Sequence, residues 1–273
     1  MVLVSMEAAL APPAINGALE AGCHVLSEKP GCVRATDFEP LVRKAQRKHR
    51  HLMLALANRF HEAVHQARRL VKDGKLGKVY GMEVHLVADQ TRLTREAYRK
   101  QWVCSKARAG GGNLIWLGIH WLDLALHVTG LKVRQVAGFA GLVGGQPIDV
   151  EDSAAVALRF DNGSFGTMTA GYYLDKGYDS HLQVWGEHGW LRLALIEDTP
   201  LEWYSTKEAK PAVRRFEYPK GERGYQPFVR AAVRASAGLE PAPITPEECL
   251  HVLRTVFAFY QAAPSGRVQD VRA

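Results

Sequence analysis

Short apolar runs alternate with helical patterns through the first 57 residues of this chain. Residues 2–4, 24–27 and 52–56 have the composition of buried strands. Between them, residues 8–21 carry apolar side chains at helical spacing, and residues 36–49 open with a capping-box pattern. The order β-α-β-α-β predicts a parallel, doubly wound sheet, and ligands of such sheets bind outside the carboxyl ends of the strands.

Strand patterns of a different kind dominate the second half. Residues 155–160 and 164–169 flank the turn Asp161-Asn162-Gly163, and residues 182–185 and 190–193 flank a second turn. These hairpins predict an antiparallel sheet that helices cover on one face. The predicted fold class is therefore α/β: a partial doubly wound domain over residues 1–57, then an α+β domain with a large, mostly antiparallel open sheet over residues 58–273.

The composition is that of an ordinary globular protein, with 47% hydrophobic residues and 35 basic against 28 acidic side chains. The basic residues concentrate at positions 43–50, which we interpret as the exposed face of a helix, because no nucleic-acid-binding motif accompanies them. No apolar run reaches the roughly 18 residues that cross a bilayer, and no secretory signal is present. We expect a cytoplasmic protein with no nucleic-acid or membrane partner.

Metal binding is not predicted. The four cysteines are scattered without a CxxC pair. A run of three glycines, residues 110–112, precedes a helix on which Trp116, His120, Asp123 and His127 are spaced to share one side. A metal site would need a denser cluster. A lone helix histidine is more often structural than catalytic, so the spacing alone leaves both roles open for His120.

Lys29 is also ambiguous on its own, since most lysines are solvated. Its position at the end of the second predicted strand, beside Glu28 and before Pro30, places its ammonium where it could donate hydrogen bonds to a ligand oxygen.

Residues 18–30 resemble the AL-x-AG-x-HV-x-x-EKP segment of the Gfo/Idh/MocA oxidoreductases. Residues 58–61, residues 73–79 and the GGG…G-x-H-x-x-D run of residues 110–123 support the resemblance, which extends over nearly the whole chain. It implies a Rossmann domain that binds NAD or NADP and an α/β domain whose open sheet forms homo-oligomers. A sugar, inositol or other polyol substrate would lie between the two domains.

The resemblance also implies residue roles. Lys29 and His120 match the family's catalytic lysine and histidine, and an imidazole that titrates near neutrality suits the removal of a hydroxyl proton. Cofactor contacts are expected at Ser5, Glu28, Lys29 and Pro30. Substrate contacts are expected at Arg59, Trp116, Asp123 and Tyr172, with Tyr173, Asp179 and His181 as further candidates.

Two departures from the family pattern affect the expected function. Trp116 stands where many members have an aspartate, so it either changes the tuning of the base or stacks on a sugar ring. No GxGxxG loop occurs in the sequence, which leads us to expect a truncated chain that binds dinucleotides poorly. The alternatives are an NAD-dependent glycosidase that oxidises its substrate transiently, and a non-catalytic binding or regulatory paralogue.

Overall fold

A three-stranded parallel sheet begins the molecule. The computed structural model describes residues 1–216 and 224–272. Strands β1 (Val2–Val4), β2 (Val25–Ser27) and β3 (Leu52–Leu54) lie in the order β1-β2-β3 and alternate with helices α1 (Ala11–Glu20) and α2 (Ala35–Arg47). Leu26 lies between Leu3 and Met53 in the register. The predicted doubly wound arrangement is confirmed.

The predicted capping box at residues 36–39 is wrong. Helix α2 begins at Ala35, with Arg34 at the N-cap and no side-chain cap, so Thr36 lies within the first turn. A capping box does occur at the start of helix α9 (Pro246–Ser265). There the hydroxyl of Thr245 accepts a hydrogen bond from the Glu248 amide, and the Glu248 carboxylate accepts one from the Thr245 amide.

Helices and one long strand lead from the first sheet to the second. They are a 3₁₀ turn (Ala57–Phe60), α3 (Glu62–Lys72), β4 (Val79–Asp89), α4 (Thr91–Thr94), α5 (Glu96–Arg99), a second 3₁₀ turn (Trp102–Cys104), α6 (Lys106–Ala109), a π-helical turn (Leu114–Gly118) and α7 (Ile119–Thr129).

Strands and two long helices make up the remainder. These elements are β5 (Val133–Gly141), β6 (Ser153–Phe160), β7 (Phe165–Leu174), β8 (Tyr178–Gly186), β9 (Gly189–Leu193), β10 (Leu201–Ser205), β11 (Arg214–Phe216), α8 (Tyr225–Ser236), α9 and β12 (Gln269–Asp270). The strands β5 to β12 join β4 in a nine-stranded sheet, in the order β11-β10-β9-β8-β4-β7-β6-β5-β12. Among the described strands of this sheet, β4 and β7 alone run parallel, so the predicted, mostly antiparallel open sheet is confirmed.

Helices cover one face of the large sheet. In β8, Ser180, Leu182 and Val184 are buried on the side against which α7 packs. The alternate residues face away from the helices, and they include a cross-strand row formed by Phe139, Ala155, Thr169, His85 and His181. This outward face is free of covering helices in the described parts of the chain.

Helix α9 returns to the first sheet. Arg254 donates a hydrogen bond from Nε to Glu39 of α2 at 3.1 Å, and the Leu54 amide of β3 lies 3.3 Å from the Cys249 sulfur. The predicted domain division at residue 58 stays a prediction, because this last helix packs against both sheets. None of the helices described is long and apolar enough to span a membrane.

Candidate active site

Lys29 lies at the carboxyl end of β2, where the two sheets meet. Its side chain is buried, with 7% of its surface exposed, and the residue before it is anchored by a hydrogen bond from the Glu28 amide to the Val4 carbonyl at 2.8 Å. The ammonium Nζ lies 3.5 Å from the centroid of the Trp116 ring and donates a hydrogen bond to the Trp116 carbonyl. Lys29 therefore contacts the segment that precedes α7.

Burial lowers the pKa of Lys29 to about 7, although the nearby carboxylate of Glu28 partly opposes this change. The charged form loses hydration when it is buried, and the partners that hold it here, a carbonyl and an aromatic ring, are neutral. Lys29 is therefore divided between ammonium and free amine near neutral pH.

The half-buried Glu151 holds the segment that carries Trp116. Glu151 accepts hydrogen bonds from the amides of Gly112 at 2.6 Å and Leu114 at 3.0 Å, and from the hydroxyl of Tyr260 at 2.7 Å. Burial raises the pKa of Glu151, and these hydrogen bonds oppose the increase. A Cβ at Gly112 would overlap the Glu151 carbonyl oxygen, so a glycine is required where these two segments meet.

No local pattern in the sequence indicated this arrangement. Glu151 lies on a different element from Gly112, and Tyr260 comes from α9. The π-helical turn was also missed. It adds a residue to the turn that contains Trp116, so the regular helical spacing assumed between Trp116 and the α7 residues His120 and Asp123 does not hold.

His120 lies in the first turn of α7 and is half-buried. Burial and the positive charge of Lys29 lower the pKa of His120 to about 3. The expectation of an imidazole that titrates near neutrality is therefore wrong, because it neglected both effects. Nδ1 of His120 is buried and has no hydrogen-bond partner in the described parts of the chain.

Arg59 and Asp123 form a buried ion pair. Arg59 donates to Asp123 from Nε at 2.8 Å and from Nη2 at 2.6 Å, and from Nη1 to Glu248 at 2.9 Å. Both side chains of the pair are almost completely buried. Since Asp123 lies one turn after His120, the pair fixes α7 against the 3₁₀ turn that carries Arg59 and the start of α9.

Tyr172 packs beside Trp116 rather than facing open solvent. It is buried in a small apolar cluster with Leu93 and Val103, against which Trp102 and Trp116 pack. The rings of Trp102 and Trp116 meet edge to face, with centroids 5.3 Å apart.

The remaining expected contacts fall in two places. Ser5 is exposed just after β1, and Glu28 is half-buried just after β2, so both lie at the carboxyl edge of the parallel sheet beside Lys29 and the buried Pro30. His181 stacks on His85 at a centroid distance of 5.0 Å, with Asp179 close to both rings. Because this pair faces away from the helices, His181 and Asp179 are not brought to Lys29.

No group of three or more potential metal ligands occurs within residues 1–216 and 224–272. The site is instead formed by a lysine, a histidine and aromatic rings between a parallel sheet and a large open sheet.

Part of the chain matches a model of a known family. Residues 64–192 match the GFO/IDH/MocA C-terminal domain. The chain is 27% identical over 272 residues to a myo-inositol dehydrogenase of Streptomyces leeuwenhoekii, covering 97% of this chain and 79% of that enzyme. It is 28% identical over 183 residues to D-glucoside 3-dehydrogenase of Escherichia coli, a match that spans 61% of this chain and half the length of that relative.

Solved structures show the same fold. An oxidoreductase domain protein from Kribbella flavida superimposes with a TM-score of 0.90 at 23% identity, covering 99% of this chain and 80% of that one. GenD2 from gentamicin A biosynthesis, solved in complex with NAD, superimposes with a TM-score of 0.83 at 25% identity, covering all of this chain and 78% of that one. Residues 64–192 thus resemble the C-terminal domain of the Gfo/Idh/MocA family, and the chain as a whole has the fold of these solved structures.

Proposed function

We propose that this protein is an NAD(P)-dependent oxidoreductase that transfers a hydride to or from a sugar, an inositol or a related polyhydroxy compound. The observation that carries the proposal is the approach of Lys29, Trp116 and His120 at the carboxyl edge of the parallel sheet. Ligands of doubly wound sheets bind at this edge. The names of the relatives, which include a glucoside dehydrogenase and inositol dehydrogenases, support the substrate class.

The residues at this edge fit the nicotinamide end of a dinucleotide. Ser5 and Glu28 offer polar groups at the ends of neighbouring strands, and the unpartnered Nδ1 of His120 leaves a buried polar atom for a ligand. Ser5, Glu28, Lys29 and Pro30 would hold this end of the cofactor. A bound nicotinamide supplies the hydride acceptor or donor, which the side chains of this chain do not provide.

Lys29 is the group whose pKa suits proton exchange at neutral pH. Its free amine can accept the proton of a substrate hydroxyl at Nζ, and its ammonium can return the proton when a carbonyl is reduced. His120 is neutral at this pH and holds the same oxygen by a hydrogen bond. In this scheme Lys29 and His120 are both catalytic residues, and Lys29 is the one that exchanges the proton.

Arg59 and Asp123 act at a distance from the substrate in this proposal. Their hydrogen bonds are made with each other and with Glu248, so they orient α7 and with it His120. Trp116 and Tyr172 form the apolar side of the site, where an aromatic surface can pack against the C–H groups of a sugar ring.

The experiment is to incubate the protein, expressed from its own gene, with NAD⁺ or NADP⁺ and a panel of inositols, aldoses and glycosides. We expect NADH or NADPH to accumulate with at least one polyol. Sugar release from a glycoside without net NADH formation would identify the glycosidase instead. Polyol binding with neither reaction would identify a binding protein.

Self-association through the large sheet is part of the same proposal. The outward face exposes Phe139, Phe165 and Trp185, with 80%, 60% and 43% of their surfaces accessible, and a second copy of the sheet would cover them. The cytoplasmic location expected from the sequence stays a prediction.

A further inference from the structure

Asn113 is a fully buried amide with no hydrogen-bond partner for its side chain. Its backbone amide donates to the Glu151 carbonyl at 3.0 Å, but neither Nδ2 nor Oδ1 is paired within the described residues. Leaving such a group unpaired costs about 1–3 kcal/mol, so buried amides normally bind another protein group or a water molecule. The unpaired amide of Asn113 therefore indicates a missing partner.

A small cavity lies against this amide. Asn113 lines it together with Tyr98, Trp116, Glu151 and Tyr172, and its volume is about 10 Å³. That volume is close to the smallest that holds one water molecule. A whole sugar does not fit, whereas a single hydroxyl group does.

The cavity adjoins the proposed active site through one side chain. Trp116 forms part of the cavity wall, and the same ring contacts the ammonium of Lys29. Asn113 precedes Trp116 by one helical turn and His120 follows it by another, and both carry buried polar atoms without partners. A ligand that reaches Lys29 beside Trp116 is thus close to both groups.

The chemistry of the cavity selects a neutral hydroxyl over an anion. An amide both donates and accepts, as a hydroxyl does. Glu151 lines the same cavity, and a phosphate or carboxylate there would be repelled by its carboxylate whenever Glu151 is ionised. The remaining lining is mainly aromatic and aliphatic, as in a site for one polar group of a largely neutral ligand.

We propose that Asn113 is a specificity-determining residue that binds one hydroxyl group of the polyol substrate, a site that a water molecule fills when no substrate is bound. This inference rests on the proposed function, because it takes a polyol as the ligand. It adds a contact that none of the sequence patterns indicated.

The test compares the wild-type protein with Asn113→Leu, a change that removes the amide at nearly constant volume. Calorimetric titration with myo-inositol and with methyl β-D-glucoside, in the presence and absence of NADH, gives the dissociation constants. We expect Asn113→Leu to weaken binding of the better ligand about tenfold, the loss of one to two hydrogen bonds. Asn16→Leu, the same change in α1 far from the cavity, should leave the dissociation constant unchanged.

Folding of the variant is measured separately by thermal unfolding. Because the side-chain amide has no hydrogen-bond partner among the residues that the structure describes, we expect Asn113→Leu to be at least as stable as the wild type. If Asn113→Leu fails to fold, Asn113→Ser is compared with Asn113→Ala. The serine variant has a side-chain hydroxyl that can form a hydrogen bond, so it should bind the polyol more tightly than the alanine variant. A crystal structure of the free protein should show a water molecule within hydrogen-bond distance of the Asn113 amide.

The outcomes separate this inference from the proposed function. Polyol binding that depends on Asn113, without hydride transfer, would overturn the oxidoreductase proposal and support the hydroxyl site. Hydride transfer with an unchanged KM and dissociation constant in Asn113→Leu would overturn the hydroxyl site alone. Absence of binding by either polyol to the wild-type protein would also overturn it.

Discussion

The ammonium of Lys29 lies 3.5 Å from the centroid of the Trp116 ring. An aromatic face, rather than a carboxylate, thus lies against the buried ammonium. A ring stabilises a buried cation less than a carboxylate does. Burial lowers the pKa of Lys29 to about 7, and neither of the neutral groups that the ammonium contacts offsets this change as a carboxylate would.

The first prediction concerns stability and pH. In the unfolded chain Lys29 has its ordinary pKa of 10.5, against about 7 in the folded protein. Between these values the unfolded chain binds the extra proton, so Lys29 makes the free energy of unfolding rise with pH across this window. Below pH 7 Lys29 is charged in both the folded and the unfolded state, so the free-energy cost of burying its ammonium group is fully present.

Lys29→Met should remove this penalty. We expect the variant to be more stable by on the order of 5 kcal/mol below pH 7, the equivalent of the pKa change from 10.5 to about 7, with the difference shrinking as the pH rises toward 10.5. Urea unfolding across this pH range measures it. Lys176→Met, at an exposed lysine, is the control and should change little. A difference that grows with pH would contradict the assigned sign.

The second prediction concerns Trp116. Trp116→Asp places a carboxylate beside Lys29 and should raise the pKa of Lys29, so the pH profile of turnover should move to higher pH by about one unit or more. Trp116→Phe keeps an aromatic ring and should leave the profile in place. If Trp116→Asp abolishes polyol binding and the profile of the remaining activity is unmoved, the ring acts by stacking on the substrate.

Local patterns in the sequence predicted the order of helices and strands in this protein but not the geometry of its candidate site. The β-α-β-α-β order and the hairpin at Asn162-Gly163 follow from periodicity and turn residues that are close in sequence. The contacts of Glu151 with Gly112, and of Arg59 with Asp123, join distant segments and leave no periodic signal. The lowered pKa of His120 depends on burial, which only the folded structure reveals.

The buried pair of Arg59 and Asp123 leads to a third prediction. Asp123→Asn removes the charge that faces the Arg59 guanidinium, leaving Glu248 as its ion-pair partner in the described residues. We expect a loss of roughly 3 kcal/mol in the free energy of unfolding, typical of breaking a buried ion pair. Asp37→Asn, which breaks the more exposed pair with Arg34, should cost less than about 1 kcal/mol. Equal losses in the two variants would contradict the structural role of the buried pair.

The fourth prediction tests self-association. Ala157 lies on β6 and faces outward, directly opposite Thr167 of β7. Ala157→Glu should place an unpaired charge inside an interface formed by this face and dissociate the oligomer, as measured by light scattering. Ala209→Glu, at an exposed turn residue, should leave the mass unchanged. A wild-type protein that is monomeric at high concentration would show that the outward face faces solvent.

The central claim is that Lys29 and His120 act together on one substrate hydroxyl, and the rate of hydride transfer in Lys29→Ala and His120→Ala tests it most directly. The assay uses protein expressed from its own gene, with its cognate polyol as the substrate. We expect Lys29→Ala to lower turnover by about 100- to 10,000-fold, as for loss of a general acid–base group. His120→Ala should lower turnover by at least about 100-fold while cofactor affinity stays nearly unchanged. Full turnover in either variant would remove that residue from the mechanism and contradict the account.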